Sequence, residues 1–145
     1  MSEDLNELYQ SIILDHNKAP RNYGLLDAPT HKAEGYNPIC GDKIIVTLQL
    51  DTERFKEVRF QTASCAICKA SASIMAVALR GKYLSELEVL EILLNKLLAG
   101  EELDGNALST NSDLAALSGV SKFPSRIKCA KLPWQTLHSA LKNPI

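Results

Sequence analysis

Three short segments carry most of the chemistry open to this sequence: Asn37-Pro38-Ile39-Cys40-Gly41-Asp42, Ser64-Cys65-Ala66-Ile67-Cys68-Lys69-Ala70-Ser71 and Arg126-Ile127-Lys128-Cys129-Ala130. Each holds at least one thiol, and the first adds a carboxylate two positions after its cysteine. Gly41 leaves the backbone between Cys40 and Asp42 free to turn, so both side chains can aim at one ion. Cys65 and Cys129 are each predicted at a helix N-terminus, where unpaired backbone N–H groups and the helix dipole favour the thiolate. Three thiolates and one carboxylate, from Cys40, Asp42, Cys65 and Cys129, match the four-coordinate preference of zinc, and three sulfurs also suit iron in a cluster. Residue types leave that choice open. A carboxylate among thiolates is a harder and more easily displaced ligand, so such a site exchanges ligands more readily than a four-cysteine one. The anionic ligand set would leave the site negative, and Lys43, Lys69, Arg126 and Lys128 stand close enough in sequence to offset it or to serve as docking contacts.

Free cysteine is among the most buried residue types. Cys68, on the helix that begins at Cys65, fits plain packing better than the other three do. Cys65-Ala66-Ile67-Cys68 would otherwise read as a zinc knuckle or a redox pair, but a redox pair of the thioredoxin kind calls for a βαβ unit, and the strands here pattern as antiparallel. His16, His31 and His138 are read as surface or cap residues rather than ligands, since none adjoins a cysteine.

The rest of the chain must position these residues. With 145 residues, 46% of them hydrophobic, it can fill one core, and a single domain spanning 1–145 is expected. Sixteen Lys plus Arg against seventeen Asp plus Glu give a net charge of -1, which points to no nucleic-acid or anionic-membrane partner. The acidic start Met1-Ser2-Glu3-Asp4 lacks the basic and apolar regions of an export signal, so the cytoplasm is expected. Four cysteines in that reducing compartment are better thiolates than disulfides. No apolar run reaches the roughly 20 residues of a membrane span.

Leu5, Leu8, Tyr9, Ile12 and Ile13 recur at helical spacing and predict an amphipathic first helix ending before Pro20. Residues 21–38 read as an irregular connection. Alternation over Lys43–Leu50 and Phe55–Thr62 predicts a β-hairpin. Beyond Ser64 a stripe of Ala66, Ala70, Ile74, Val77 and Ala78 predicts a helix lying close to the sheet, ended by Gly81. Ser85 with Glu88 predicts a capping box for a leucine-rich helix stopped by Gly100. A polar stretch, a short helical piece through Leu114, Leu117 and Val120, and a last helix follow. Pro133 is expected only in the first turn of that helix, which would put Cys129 at or near its start. The fold class is α/β in the α+β sense: a small antiparallel sheet packed against helices, with the site at its edge.

Taken together, the segments resemble the iron-sulfur cluster assembly scaffolds of the IscU/NifU type, and within these the SufU branch. The resemblance spans nearly the whole chain and rests on Tyr36-Asn37-Pro38-Ile39-Cys40-Gly41-Asp42, on Cys65-Ala66-Ile67 with Ala70-Ser71, and on Phe123-Pro124-Ser125-Arg126-Ile127-Lys128-Cys129-Ala130. Lys128 stands where IscU proteins carry a histidine, and the interval from Cys65 to Cys129 is longer than theirs, as an insertion within residues 85–111 would make it. Lys122-Phe123-Pro124-Ser125-Arg126 replaces their chaperone-recognition motif, so no dedicated Hsp70 partner is implied.

The resemblance implies a SufE/IscU-like fold, a zinc ion held by Cys40, Asp42, Cys65 and Cys129, and a SufS-type, pyridoxal-phosphate cysteine desulfurase as partner, with further iron-sulfur assembly proteins downstream. It implies that a desulfurase histidine displaces Cys40 from zinc and frees it to accept persulfide sulfur, the alternative being a scaffold for a [2Fe-2S] cluster. Arg126 matches a family arginine near the site. Cys68 stands where serine is usual and Ser64 where glycine is common, which makes Cys68 a candidate spare ligand or second sulfur acceptor.

Overall fold

The computed structural model describes residues 3–101 and 112–145. Its order is α1 (Glu3–Lys18), β1 (His31–Asn37), β2 (Asp42–Asp51), β3 (Arg54–Ala63), α2 (Ala66–Leu79), α3 (Leu84–Leu98), α4 (Ser112–Ala115), a 3-10 segment (Ala116–Lys122) and α5 (Pro124–Leu141). The strands form one antiparallel sheet in the order β1-β2-β3.

The predicted hairpin is β2–β3, with its ends within a residue of those expected and Thr52 in the left-handed region at the turn, φ +61°. Ile44, Val46 and Leu48 of β2 and Val58 and Phe60 of β3 face inward. Residues 21–38 are not irregular throughout, because β1 pairs His31–Asn37 with Asp42–Leu48. The strand escaped detection because it is polar: Ala33, Gly35 and Asn37 face inward, and none is a large apolar residue. Gly35 is there because α5 passes so close. A Cβ at that position would stand 1.9 Å from Thr136 Oγ1, far inside contact distance.

α5 crosses β1 and β2, α2 lies beside it under β3, and α1 covers α2 from the other side. α2 is therefore buried all round from Ala70 to Ala76, not along one stripe, while Val77 of the expected stripe faces solvent. The small side chains of Ala70, Ser71, Ala72, Ser73 and Ala76 are what allow both neighbours to approach. Gly81 ends the helix as expected, at φ +83°. The capping box of α3 lies two residues earlier than Ser85–Glu88: the Glu86 carboxylate accepts the Tyr83 N–H at 2.8 Å. Leu114, Leu117 and Val120 are buried, as their spacing predicts. The polar stretch after Gly100 lies outside the described residues from 102 to 111.

His16 corrects the histidine reading. It is 2% exposed, bridging Ser73 Oγ at 2.7 Å and Asp113 Oδ2 at 2.8 Å, and so ties α1 to α2 and α4. His138, by contrast, is an exposed residue paired with Glu91. No described helix is long and apolar enough to cross a membrane.

Candidate metal centre

The site forms where one end of the sheet meets α2 and α5. Asn37 closes β1, and its carbonyl accepts the Gly41 N–H at 2.8 Å, wrapping the loop that carries Cys40 into one turn. Gly41 adopts φ +73°, a backbone state that costs glycine nothing, and hands the chain to Asp42 at the start of β2. Cys40 is left exposed, whereas Asp42 has no exposed surface.

Cys65 is the N-cap of α2, as the sequence predicts, and its backbone N–H donates to Asp42 Oδ1 at 2.9 Å. The other carboxylate oxygen, Oδ2, is buried without a hydrogen-bond partner. Cys129 is fully buried and lies five residues after Pro124, the first residue of α5, so it is not at a helix start. Pro133 accordingly stands mid-helix, where proline returns no N–H to the Cys129 carbonyl four residues back. The register of α5 is fixed from the side: Ser71 Oγ donates to the Ala130 carbonyl at 2.6 Å and accepts from Trp134 Nε1 at 3.1 Å, in the core. This link holds Cys129 of α5 relative to Cys65 of α2. Sequence patterning missed it because the partners of Ser71, Ala130 and Trp134, lie about sixty residues away.

The ligand atoms of Cys40, Asp42 and Cys129 all lie within 4.8 Å of one another, close enough to share one metal ion. Cys65 falls outside that tight group but adjoins it. Burial pushes the Cys129 thiol well above its ordinary value, and contacts with Asp42, Cys40 and Cys65 push it further. The Arg126 guanidinium is held protonated more firmly than a free arginine by Cys65 first and then Cys129. Lys43 and Lys69 lie over the rings of Tyr36 and Tyr23, at 5.7 and 5.6 Å.

These residues fit a soft divalent cation. An unpartnered buried carboxylate oxygen costs about 1–3 kcal/mol, more if charged, and a metal ion held among the thiols would remove this cost.

Cys68 sits at the floor of the site but is fully buried. Burial raises its thiol from 9.0 to about 12, with hydrogen bonds from Ser64 and Thr62 opposing and the Asp42 and Cys65 charges adding. It is a packed neutral thiol, as its position on α2 suggested. In the folded protein it should resist iodoacetamide at neutral pH while Cys40 of the metal-free protein reacts, as peptide mass mapping would read. Because its folded value exceeds the unfolded one, the stability it contributes is complete below about pH 9 and is lost as pH climbs towards 12. Cys68→Ala should flatten that alkaline limb and leave metal uptake unchanged. Modification of Cys68 alongside Cys40, or loss of metal in Cys68→Ala, would contradict this.

Comparison with known proteins places this geometry. The family model for the NifU-like N terminal domain matches residues 8–130, which include all four cysteines and Asp42. The chain is 38% identical over 138 residues to the zinc-dependent sulfurtransferase SufU of Bacillus subtilis (strain 168), covering 95% of this chain and 92% of that protein. It is 36% identical to the iron-sulfur cluster assembly scaffold protein IscU of Streptococcus pyogenes serotype M1, covering 96% and 86%. Among solved structures it superposes with TM-score 0.80 and 29% identity on a putative iron-sulfur cluster assembly scaffold protein for the SUF system from Fervidobacterium islandicum AW-1, covering 94% of this chain and 98% of that one. A three-stranded sheet backed by helices, a cysteine-aspartate turn at its end and a match that runs through every thiol lead to one conclusion: the chain belongs to the NifU-like N-terminal domain family.

Proposed function

We propose that this chain takes sulfur onto Cys40 from a cysteine desulfurase during iron-sulfur cluster assembly, in the cytoplasm, with zinc held by Cys40, Asp42, Cys65 and Cys129. The observation that carries the reading is the contrast within one cluster: a buried Asp42 oxygen and a buried Cys129 thiol await a cation, while Cys40, the third member, faces solvent. The likeness to the Bacillus subtilis sulfurtransferase supports it. When bound, zinc would keep its thiolate ligands deprotonated and, being labile, let one of them exchange.

The chain's own groups do the rest. Asp42 and Cys129 are anchored in β2 and α5 and cannot leave; Cys40 sits on an exposed turn and can. Once free, the Cys40 thiolate attacks the outer sulfur of the desulfurase persulfide. A new S–S bond forms to Cys40, the old one breaks, and the desulfurase cysteine departs as thiolate with no net redox change. Arg126, beside Cys65 and Cys129, balances negative charge as the ligand set changes. An open cleft of ≈ 420 Å³ lined by Tyr9, Ile13, Leu14, Ile67 and Phe123, with Arg126 at its edge, offers the desulfurase an apolar seat next to the site.

A second reading, a scaffold on which the same residues assemble a [2Fe-2S] cluster for transfer to other proteins, is supported by the likeness to the Streptococcus pyogenes scaffold. Anaerobic purification separates the two. Stoichiometric zinc in a colourless protein that raises desulfurase turnover is expected; a brown protein with iron and sulfide, inert towards the desulfurase, would favour the scaffold.

A further inference from the structure

Cys65 and Cys68 stand at the N-cap and the third helical position of α2. An N-cap side chain folds over the third residue of its helix, which is how a serine or threonine in that place reaches the N–H there. Cys65 makes no such capping bond, so its sulfur is not committed to the backbone. The turn beneath it is regular, because the Cys65 carbonyl accepts the Lys69 N–H at 3.1 Å. From within that turn the Cys68 side chain tilts back towards the helix start, beside Ser64 and Thr62.

A disulfide needs Cα atoms about 4.4–6.8 Å apart, a span that residues three apart in one helical turn satisfy. An antiparallel sheet argues against a thioredoxin fold but not against the local arrangement: β3 ends at Ala63 and the motif opens α2 directly after it, as reactive Cys-X-X-Cys pairs open helices elsewhere. Exposure divides the labour. Cys65 is half-buried and Cys68 fully buried, so a small oxidant can meet the first thiol, and the second can meet only its neighbour. The sulfurs of Cys40 and Cys129 also lie within 4.8 Å of each other, but on separate elements, and an S–S bond of about 2.0 Å would have to draw the exposed turn inward.

We propose that Cys65 and Cys68 close a reversible disulfide when a hydroperoxide reaches the metal-free protein, which takes Cys65 out of the ligand set until a dithiol reduces it. The Cys65 thiolate takes one oxygen of the peroxide, the O–O bond breaks, and a sulfenic acid forms. The Cys68 sulfur then bonds to that of Cys65, the S–O bond breaks, and the oxygen leaves as water with the Cys68 proton. Two thiols are oxidised and one peroxide is reduced. A metal ion on Cys65 blocks the first step. That the bond unseats the metal rests on the reading of Cys65 as a ligand; the bond itself does not.

Trypsin leaves both cysteines on one peptide, Phe60–Lys69, and separates Cys40 and Cys129 from it. Chelator-stripped protein treated with one equivalent of hydrogen peroxide and alkylated in denaturant should yield that peptide unalkylated and lighter by two hydrogen atoms, whereas zinc-loaded protein should yield it fully alkylated. Zinc affinity of the oxidised protein should fall roughly 10²–10³-fold and return with dithiothreitol. In Cys68→Ser the sulfenic acid of Cys65 has no thiol beside it and should be trapped by dimedone, as it should not be in the wild type. Both thiols left free on Phe60–Lys69 while Cys40 and Cys129 join, a bond from Cys65 to either of those, or equal dimedone labelling of the two proteins would overturn the proposal. A disulfide that forms and leaves zinc affinity unchanged would keep the bond and remove Cys65 from the ligand set. Should Cys68→Ser fail to fold, the wild-type peptide map decides the question.

Discussion

Cys40→Ala should bring desulfurase turnover down to the rate of the desulfurase alone, with the protein still folded. The first part follows from chemistry: the substitution removes the most exposed thiol at the site, leaving a buried Cys129 and a half-buried Cys65 that is fixed at the N-cap of α2. The second follows from position, because Cys40 lies on a turn outside the core and contributes no buried apolar surface. Zinc should bind more weakly as well. If four ligands share a total of about 10–16 kcal/mol, losing one costs about 3–4 kcal/mol, or roughly 10²–10³ in affinity. The measurement is sulfide or alanine release at saturating zinc, so that weaker binding is not mistaken for lost acceptance. Undiminished stimulation would remove Cys40 from the role.

Stripping the metal should lower the melting temperature by roughly 10–15 °C. Ligand linkage at a free zinc concentration a thousand times Kd is worth about 4 kcal/mol, and in a chain of this size each kcal/mol moves the midpoint by about 2–4 °C. The structure shows where the loss falls. Asp42 Oδ2 and the Cys129 thiol are left in the interior with no cation to face. Since burial and its neighbours hold the Cys129 thiol above its usual range, a cation can take this sulfur as ligand only by expelling its proton. Zinc affinity should therefore rise with pH through the neutral range, and the gap in melting temperature between loaded and stripped protein should widen with it. Calorimetry with and without a chelator reads both effects. A gap of a degree or two, flat in pH, would indicate that these residues hold no ion.

The sequence revealed the hairpin and the helices after it, because large apolar side chains at regular spacing are a local signal; of the four residues it nominated as ligands, the structure brings Cys40, Asp42 and Cys129 within 4.8 Å of one another and leaves Cys65 just outside. It hid β1, since an edge strand covered by α5 on one face can be polar and needs only Ala33, Gly35 and Asn37 inside. It misplaced Cys129, because the helix rule for proline assumes that every backbone bond must be made, whereas α5 tolerates Pro133 where Ser71 and Trp134 hold it from the side. His16 and Asn37 were illegible for a shared reason. A buried polar residue is defined by partners far away in sequence, such as Asp113 and Ser73 for His16, or by the lack of one, as for Asn37 Nδ2.

In the proposed reaction sulfur moves from a desulfurase persulfide to one particular thiol of this chain. Mixing the protein with its desulfurase and cysteine, blocking all thiols and locating the added sulfur by peptide mass spectrometry tests it directly. A mass gain of one sulfur atom is expected on the peptide bearing Cys40, with Cys65, Cys68 and Cys129 unmodified. Sulfur on Cys65, Cys68 or Cys129 in place of Cys40, or on none of the four while turnover still rises, would contradict it.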